Sequence, residues 1–495
     1  MTIVAIVCVV VFAATSQAQG PNSTATDRMA RDIFKELIEI NTTDSVGNVS
    51  TAAEAMQKRL REAGFTDKEM ILAGPNEKKK NLVVRLRGTG KRKPVLFIGH
   101  LDVVEARRED WTTDPFQFVE KEGFFYGRGT NDMKAGDAIM VTNFIRLKKE
   151  GYVPDRDLIL ALTADEEGGS YNGVAWLLKE HRDWVDAEYC INLDGGEFIK
   201  QNGKRLMAAM QGSEKVYADY TFESLNAGGH SSEPVRDNAI YHLAAALDRL
   251  REYDFPVRLN EITRNFFART AEITPGNSSA DLKAVAKEPI DEAAAARLSA
   301  AAPYYNTLLR TTCVATLLSG GHAHNALPQM ARANVNCRIF PGENPEEVRK
   351  TLERVTADPK VTVTLVPQLG SDGNPVPAVT VPPSALLPEV VKAMEKTIGE
   401  KWPGVPLVAT MSAGASDGKF TRIAGIPTFG IACMFFELGD NRAHGKDERI
   451  EVQDFYDGVD FNYRLIHAIS SAATTVEQPR FAPLTCLKPA APVLR

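Results

Sequence analysis

Cysteine is scarce. The chain of 495 residues holds six, with no Cys-x-x-Cys pair, so neither a thiolate zinc site nor a dense disulfide framework is on offer. Five of them, Cys190, Cys313, Cys337, Cys433 and Cys486, lie in the body of the chain. They read mostly as buried free thiols, with one disulfide open to them in an oxidising compartment. No apolar run reaches bilayer length: Ile3 to Ala14 falls short of the ~20 residues a spanning helix needs. No basic stripe with interleaved aromatics is present, and the net charge is a mild −6, which argues against nucleic acid as a partner. Internal repeats and long low-complexity tracts are missing too. No Gly-x-Ser-x-Gly elbow is expected, which makes a serine hydrolase the weakest reading.

What is present begins with a targeting signal. The short apolar stretch runs into Ser16-Gln17-Ala18, small residues suited to signal peptidase, so residues 1–18 read as a signal peptide cleaved near Ala18. The early region has no Lys or Arg, which leaves an uncleaved N-terminal anchor as the alternative. The expected location is secreted or periplasmic, without stable membrane insertion once the signal is removed. A chain of this length predicts two domains.

The stretch Lys93 to Asp102 organises the rest. Its apolar half, opened by Pro94, reads as a buried strand that ends in His100 and Asp102. Two residues apart on an extended chain, these side chains point the same way. A neutral imidazole can bind metal through one nitrogen while a carboxylate holds the other N–H. Alone, such a pair is more often a capped core histidine. Downstream segments change that balance. A Gly-rich loop, Gly127 to Gly136, places Asp132 at a helix start. The strand Asp157 to Thr163 runs into Asp165-Glu166-Glu167, and the strand Glu188 to Leu193 ends in Asp194. Carboxyl ends of strands are where open α/β sheets build sites. His444 lies in a polar loop before the last long helix, Val452 to Ser471.

Two imidazoles with several carboxylates and no cysteine suit hydrolytic metal chemistry, and one carboxylate can bridge two ions. Glu166 and Glu167 are adjacent and cannot face the same way on an extended segment. One can bind metal while the other acts as general base.

The blocks Gly99-His100-Leu101-Asp102-Val103-Val104, Tyr126 to Lys134 and Asp165-Glu166-Glu167 resemble the di-zinc exopeptidase family of glutamate carboxypeptidases, aminoacylases and carnosine-type dipeptidases. The resemblance covers nearly the whole mature chain. It implies an α/β catalytic domain with a mixed, mostly parallel sheet flanked by helices, interrupted by an α+β lid and dimerisation domain. The boundaries expected are 24–213 and 373–478 for the catalytic domain, 214–372 for the lid, and 479–495 for a Pro-rich tail.

The resemblance further implies two Zn2+ ions, with Co2+ or Mn2+ as substitutes. Asp132 would bridge them, His100 and Asp194 completing one site, Glu167 and His444 the other. Glu166 would be the general base and Asp102 the partner of His100. The Asp132-Met133 peptide would be cis. His230 would reach the partner's active site in a homodimer and stabilise the oxyanion. Asn325 and Arg338 would hold substrate, Arg338 through a carboxylate, and Gly414 to Asp417 would be a substrate-side loop. His322 and His324 match no family role. Asp194 stands where Glu is common in carboxypeptidases; Asp there is commoner among aminopeptidases and dipeptidases. The segment Leu259 to Leu309, mainly helical, is expected to enlarge the lid.

The expected activity is hydrolysis of a terminal amide bond in short peptides or N-acyl amino acids. A non-catalytic peptide-binding protein on the same scaffold is the rival, favoured only if a ligand were missing; all five are present.

Overall fold

The computed structural model describes residues 24–471, apart from 275, 370–374 and 377–378. The signal expected at 1–18 and the tail at 479–495 lie outside the described residues, as do Cys8 and Cys486.

Three apolar runs make the centre. The strands Val95–His100, Leu158–Thr163 and Tyr189–Asn192 are buried at every position and pair in parallel, with Val95–His100 in the middle. Continuous apolar strands belong in a sheet covered on both faces. Along Val95–His100, Val95 and Phe97 join one core while Leu96 and Ile98 join another. The first core is filled from helices Ala25–Glu39, Lys134–Lys149 and Val452–Ser470. The second is filled from Gly173–Glu180 and Arg182–Val185. The sheet has ten strands and is mixed, with Met70–Ala73 at one end and Phe435–Glu437 at the other.

The first helix begins at Ala25, because Thr24 and Asp27 form a capping box: Asp27 N–H donates to Thr24 Oγ1 at 3.1 Å and Thr24 N–H to Asp27 Oδ2 at 2.8 Å. Two strands, Glu197–Gln201 and Lys204–Glu214, had no counterpart in the sequence reading. Their Ala, Gly and Lys content carries little strand preference, and they form only because the sheet offers partners.

The lid has its own sheet, in the order Thr312–Gly320, Met330–Ile339, Val216–Leu225, Val361–Leu365. Helices Ala239–Arg251 and Pro345–Thr356 bury Leu243 and Leu352 against Tyr220, Phe222 and Val335. Cys313 and Cys337 sit opposite each other on adjacent strands and are disulfide-bonded. Among the described cysteines, Cys190 and Cys433 are buried free thiols.

The expectation that the segment Leu259 to Leu309 enlarges the lid is corrected. Its helices Glu261–Ile273, Asn277–Val285, Glu292–Ala301 and Pro303–Leu309 share a core with Val408 and Met411 of the strand Leu407–Ser412, at the border of the catalytic sheet. Among the described residues that strand pairs with Lys204–Glu214 alone, so its other edge needs cover. The insertion supplies it: Asn265 Oδ1 accepts from the Ala409 N–H at 3.2 Å.

Candidate metal centre and active site

The strands that end in the centre of the sheet and the start of one helix deliver polar groups to the same place. His100, 1% exposed, closes its strand. Asp132 precedes the helix Lys134–Lys149. Glu166 and Glu167 follow the strand Leu158–Thr163, and Asp194 follows Tyr189–Asn192. His444 arrives from a loop 312 residues beyond Asp132 and 277 beyond Glu167.

The carboxylate of Asp132 lies between two imidazoles, its Oδ1 3.1 Å from His100 Nε2 and its Oδ2 3.1 Å from His444 Nε2. His444 Nε2 is also 2.9 Å from Glu167 Oε2. Asp194 Oδ2 is 3.9 Å from His100 Nε2. Two overlapping sets, His100 with Glu166 and Asp194, and His100 with Asp132 and Glu167, bring their ligand atoms within 4.8 Å of one another. The Asp132-Met133 peptide is cis, as the resemblance implies.

The electrostatics are those of crowded acids. Burial, and then the neighbouring Asp132, hold the Asp194 carboxyl well above its usual range. Burial together with Asp417, Glu167 and Asp132, opposed by His100, pushes Glu166 up to about 8. Burial would raise Asp132 as well, but hydrogen bonds with His100 and His444 overcome it and hold that carboxyl low. Hydrogen bonds to Asp132 and Glu167 push His444 up to about 10. Carboxylates that resist ionising side by side, with imidazole nitrogens turned among them, are a donor set for divalent cations, whose charge would relieve the repulsion. The residues fit that group.

Asp102 works differently from the sequence reading. His100 Nδ1 lies 3.0 Å from the backbone carbonyl of Asp102, while the carboxylate is 3.8 Å away. The Asp102 carboxylate accepts instead from the backbone N–H groups of Glu166, at 3.2 Å, and Glu167, at 3.0 Å. Those amides sit at the end of the neighbouring strand and take both oxygens. One residue thus orients the imidazole through its carbonyl and the acid pair through its side chain.

Several supporting residues escaped the sequence reading. Glu448, fully buried, accepts from the N–H groups of Gly129, Asn131 and Asp132 at 3.0, 2.6 and 2.9 Å and from Arg128 Nη1 at 2.7 Å. It fixes the loop that presents Asp132. In sequence it looked like one more charge in a polar loop. Lys134 Nζ, buried, donates to the carbonyls of Leu37 and Ile40 at 2.8 Å each, tying the end of the first helix to the start of Lys134–Lys149, while burial lowers its pKa to about 7. Lys79 pairs with Asp165 and, at 2.7 Å, with Asp44, which pins the turn holding Glu166. Asn172 Nδ2 bridges that turn to Asp417 at 2.6 Å.

The remaining expected site residues are spread wider. Gly414 lines a cavity of about 470 Å³ together with Asp132 and Asp194. Its walls include Ile199, Met207, Met411, Met434 and Phe436, and among the described residues no Lys, Arg or His lines it. On the far side of His444 lies a depression edged by Arg107 and Lys446. His230 is on the lid, exposed, in the short strand Gly229–His230, with Nδ1 2.7 Å from Ser232 Oγ. The Asn325 carbonyl accepts from the Ser231 N–H at 3.1 Å. The Arg338 guanidinium lies 4.9 Å from the centroid of the Tyr217 ring. None of these three is placed at the metal centre, and His322 and His324 are exposed in the adjoining turn. The letters Gly-x-Ser-x-Gly do occur, at Gly414 to Gly418, against the expectation stated above. Ser416 is buried there and its hydroxyl donates to Glu214 Oε2 at 2.8 Å, with Asn192 as its other side-chain neighbour. It meets no imidazole, so it is no nucleophile.

The profile of Peptidase family M20/M25/M40 matches residues 96–468. Human N-fatty-acyl-amino acid synthase/hydrolase PM20D1 is 28% identical over 382 residues, covering 75% of this chain and 73% of the relative. Succinyl-diaminopimelate desuccinylase of Cereibacter sphaeroides is 28% identical over 384 residues, 75% of this chain and 82% of the relative. Among solved structures, the M20 family metallo-carboxypeptidase Sso-CP2 from Sulfolobus solfataricus superposes with a TM-score of 0.63 at 17% identity, over 89% of this chain and 99% of that one.

Proposed function

The chain belongs to peptidase family M20/M25/M40 and is a metal-dependent hydrolase of peptide or amide C–N bonds, and from that premise we propose a di-zinc enzyme that releases amino acids from short peptides or N-acyl amino acids. The observation that carries it is the Asp132 carboxylate set 3.1 Å from each of two imidazoles.

In this reading His100, Asp132 and Asp194 would hold one ion, and Asp132, Glu167 and His444 the other, with Zn2+ favoured by imidazole and carboxylate donors and Co2+ or Mn2+ able to substitute. Such ions polarise a carbonyl and make water a better nucleophile. The chain's own part is proton traffic and orientation. Glu166 takes a proton from the attacking water as its oxygen bonds to the carbonyl carbon. It returns that proton to the amide nitrogen as the C–N bond breaks, leaving a carboxylate and a free amine. Asp102 keeps Glu166 in reach through the backbone N–H groups it accepts.

The cavity favours one substrate kind. Its apolar walls and lack of cations suit an N-acyl amino acid with an apolar acyl group, as in the name of the human relative, over a succinyl group. His230, Asn325 and Arg338 would meet the substrate when the lid closes or from the lid of a second copy. The lid's outer strand Thr312–Gly320 supports a homodimer: it pairs on one side only and exposes Val314, Leu317 and Leu318 at 60, 69 and 73%. The Cys313–Cys337 disulfide supports export to an oxidising compartment, secreted or periplasmic.

The test is hydrolysis of dipeptides and N-acyl amino acids, with metal analysis of the purified protein. Chelation and Glu166→Ala should each abolish turnover. Activity that survives both refutes the mechanism, and intact peptide binding with no bound metal would turn the assignment to a binding protein.

A further inference from the structure

The helical insertion that covers the catalytic sheet also reaches its cavity. Tyr304, on the helix Pro303–Leu309, lines the same space as Asp132 and Asp194. The wall nearest the metal centre is made by strand ends. The wall that Tyr304 shares with Met207 and Thr410 comes from the insertion, the edge strand Leu407–Ser412 and the neighbouring strand Lys204–Glu214.

This wall is fixed to the sheet. Phe266 and Phe267 of the insertion are buried with Val408 and Met411. The Phe266 and Tyr304 rings meet edge to face, 5.9 Å between centroids. The Tyr304 hydroxyl is 3.5 Å from Thr410 Oγ1. Tyr304 nonetheless keeps 49% of its surface open, so part of the ring is left for something else to cover. A lid movement would carry His230 and Arg338 but would leave this wall where it is.

Resting on the reading of the site as an amide hydrolase, we infer that Tyr304 closes the cavity away from the metal centre and sets the length of apolar chain the enzyme accepts. The methionines along the way, Met207, Met411 and Met434, can adjust to chains of differing shape. Glu197 and Glu437 line this space, and no Lys, Arg or His does so among the described residues, which disfavours a carboxylate at the chain's end. Each added methylene should raise kcat/KM roughly fourfold while it is being buried. The gain should stop where the chain meets the Tyr304 ring.

The experiment is a ladder of N-acyl amino acids with linear acyl groups from acetyl to palmitoyl, and N-succinyl as the anionic member. It is run on the wild type, Tyr304→Ala and Tyr304→Phe. In the wild type kcat/KM should climb and then break, and N-succinyl should fall at least tenfold below a neutral chain of similar length. Tyr304→Ala should move the break to longer chains and raise the long-to-short ratio about tenfold or more. Tyr304→Phe, which keeps the ring, should keep the break in place. The same ladder is titrated calorimetrically against Glu166→Gln and Glu166→Gln/Tyr304→Ala, so the length limit is read without turnover. A break that stays put in Tyr304→Ala, in rate and in binding, overturns the inference. Failure of every substrate to turn over, with the length limit in binding still moved by Tyr304→Ala, overturns the hydrolase reading and leaves the wall assigned.

Discussion

Glu448 offers the sharpest test of how the centre is built. Its two oxygens accept three backbone N–H groups and one Arg128 nitrogen, all within 2.6–3.0 Å. Both partners of the ion pair are buried, with side-chain exposures of 3% for Arg128 and 0% for Glu448. Glu448→Ala leaves three amides without that acceptor and a buried guanidinium without its carboxylate, with only the Gly445 carbonyl, 3.0 Å from Arg128 Nη2, still accepting from it. Breaking one side of such a pair costs about 3–5 kcal/mol. Glu448→Gln keeps one acceptor oxygen but turns an NH2 group towards donors, and each charge-assisted hydrogen bond lost is worth about 1.5–3 kcal/mol. Part of that cost falls on the position of Asp132, whose backbone N–H is one of the four donors. Loss of such supporting contacts typically weakens metal binding ~10–100-fold. The assay is competitive zinc titration of the metal-free protein against a fluorescent chelator, beside unfolding in guanidinium. Glu122→Gln, at an exposed turn with 71% of its side chain open, is the control and should match the wild type. If Glu448→Gln binds zinc within about twofold of the wild type, the Glu448 anchor does not position Asp132 and the account of the loop is wrong.

Other outcomes can be checked in parallel. Saturating zinc at about 100 times its dissociation constant should stabilise the metal-free protein by ~2.7 kcal/mol, read as a rise in melting temperature that Asp132→Ala loses. Reducing the Cys313–Cys337 bond, which spans 24 residues, should cost the lid about 3 kcal/mol, with faster amide exchange confined to 312–339. Leu317→Lys with Leu318→Lys should convert a dimer to monomers in sedimentation velocity; a wild type that is already monomeric removes the dimer proposal. Lys215 is fully buried, and its amine donates to the Arg310 carbonyl. Burial lowers its pKa to about 7, below the ~10.4 of an unfolded lysine. The unfolded chain therefore binds the extra proton between pH 7 and 10, and stability should rise across that window. Lys215→Met should flatten the rise by about one proton in the slope of unfolding free energy against pH.

Much of the centre could be read before any fold was known. His100, the Asp165-Glu166-Glu167 run and Asp194 each follow a short apolar strand. That pairing is local, since a continuous run of buried residues marks a central strand and the next polar residues mark its end. Asp132 was placed by the glycines before it and the helical spacing after it. Glu448 could not be read in this way, because its acceptors' partners lie 316 to 320 residues away and a buried Glu in a polar loop carries no local mark. The hydrogen bonds that the Asp102 carboxylate accepts from Glu166 and Glu167 could not be read either, because those amides come from the adjacent strand end. The insertion shows a third kind of gap. Phe266 and Phe267 announce a buried helix face, but an apolar face does not say what it will be buried against.

The sequence by itself determined which candidate residues stand at strand and helix ends, because that depends on the residue type and its near neighbours. Tertiary structure alone decided which second residues hold them in place, where the insertion docks and which groups share a wall with Asp194. Those facts depend on packing between segments remote in the chain, where burial and hydrogen bonding are settled only when the segments meet.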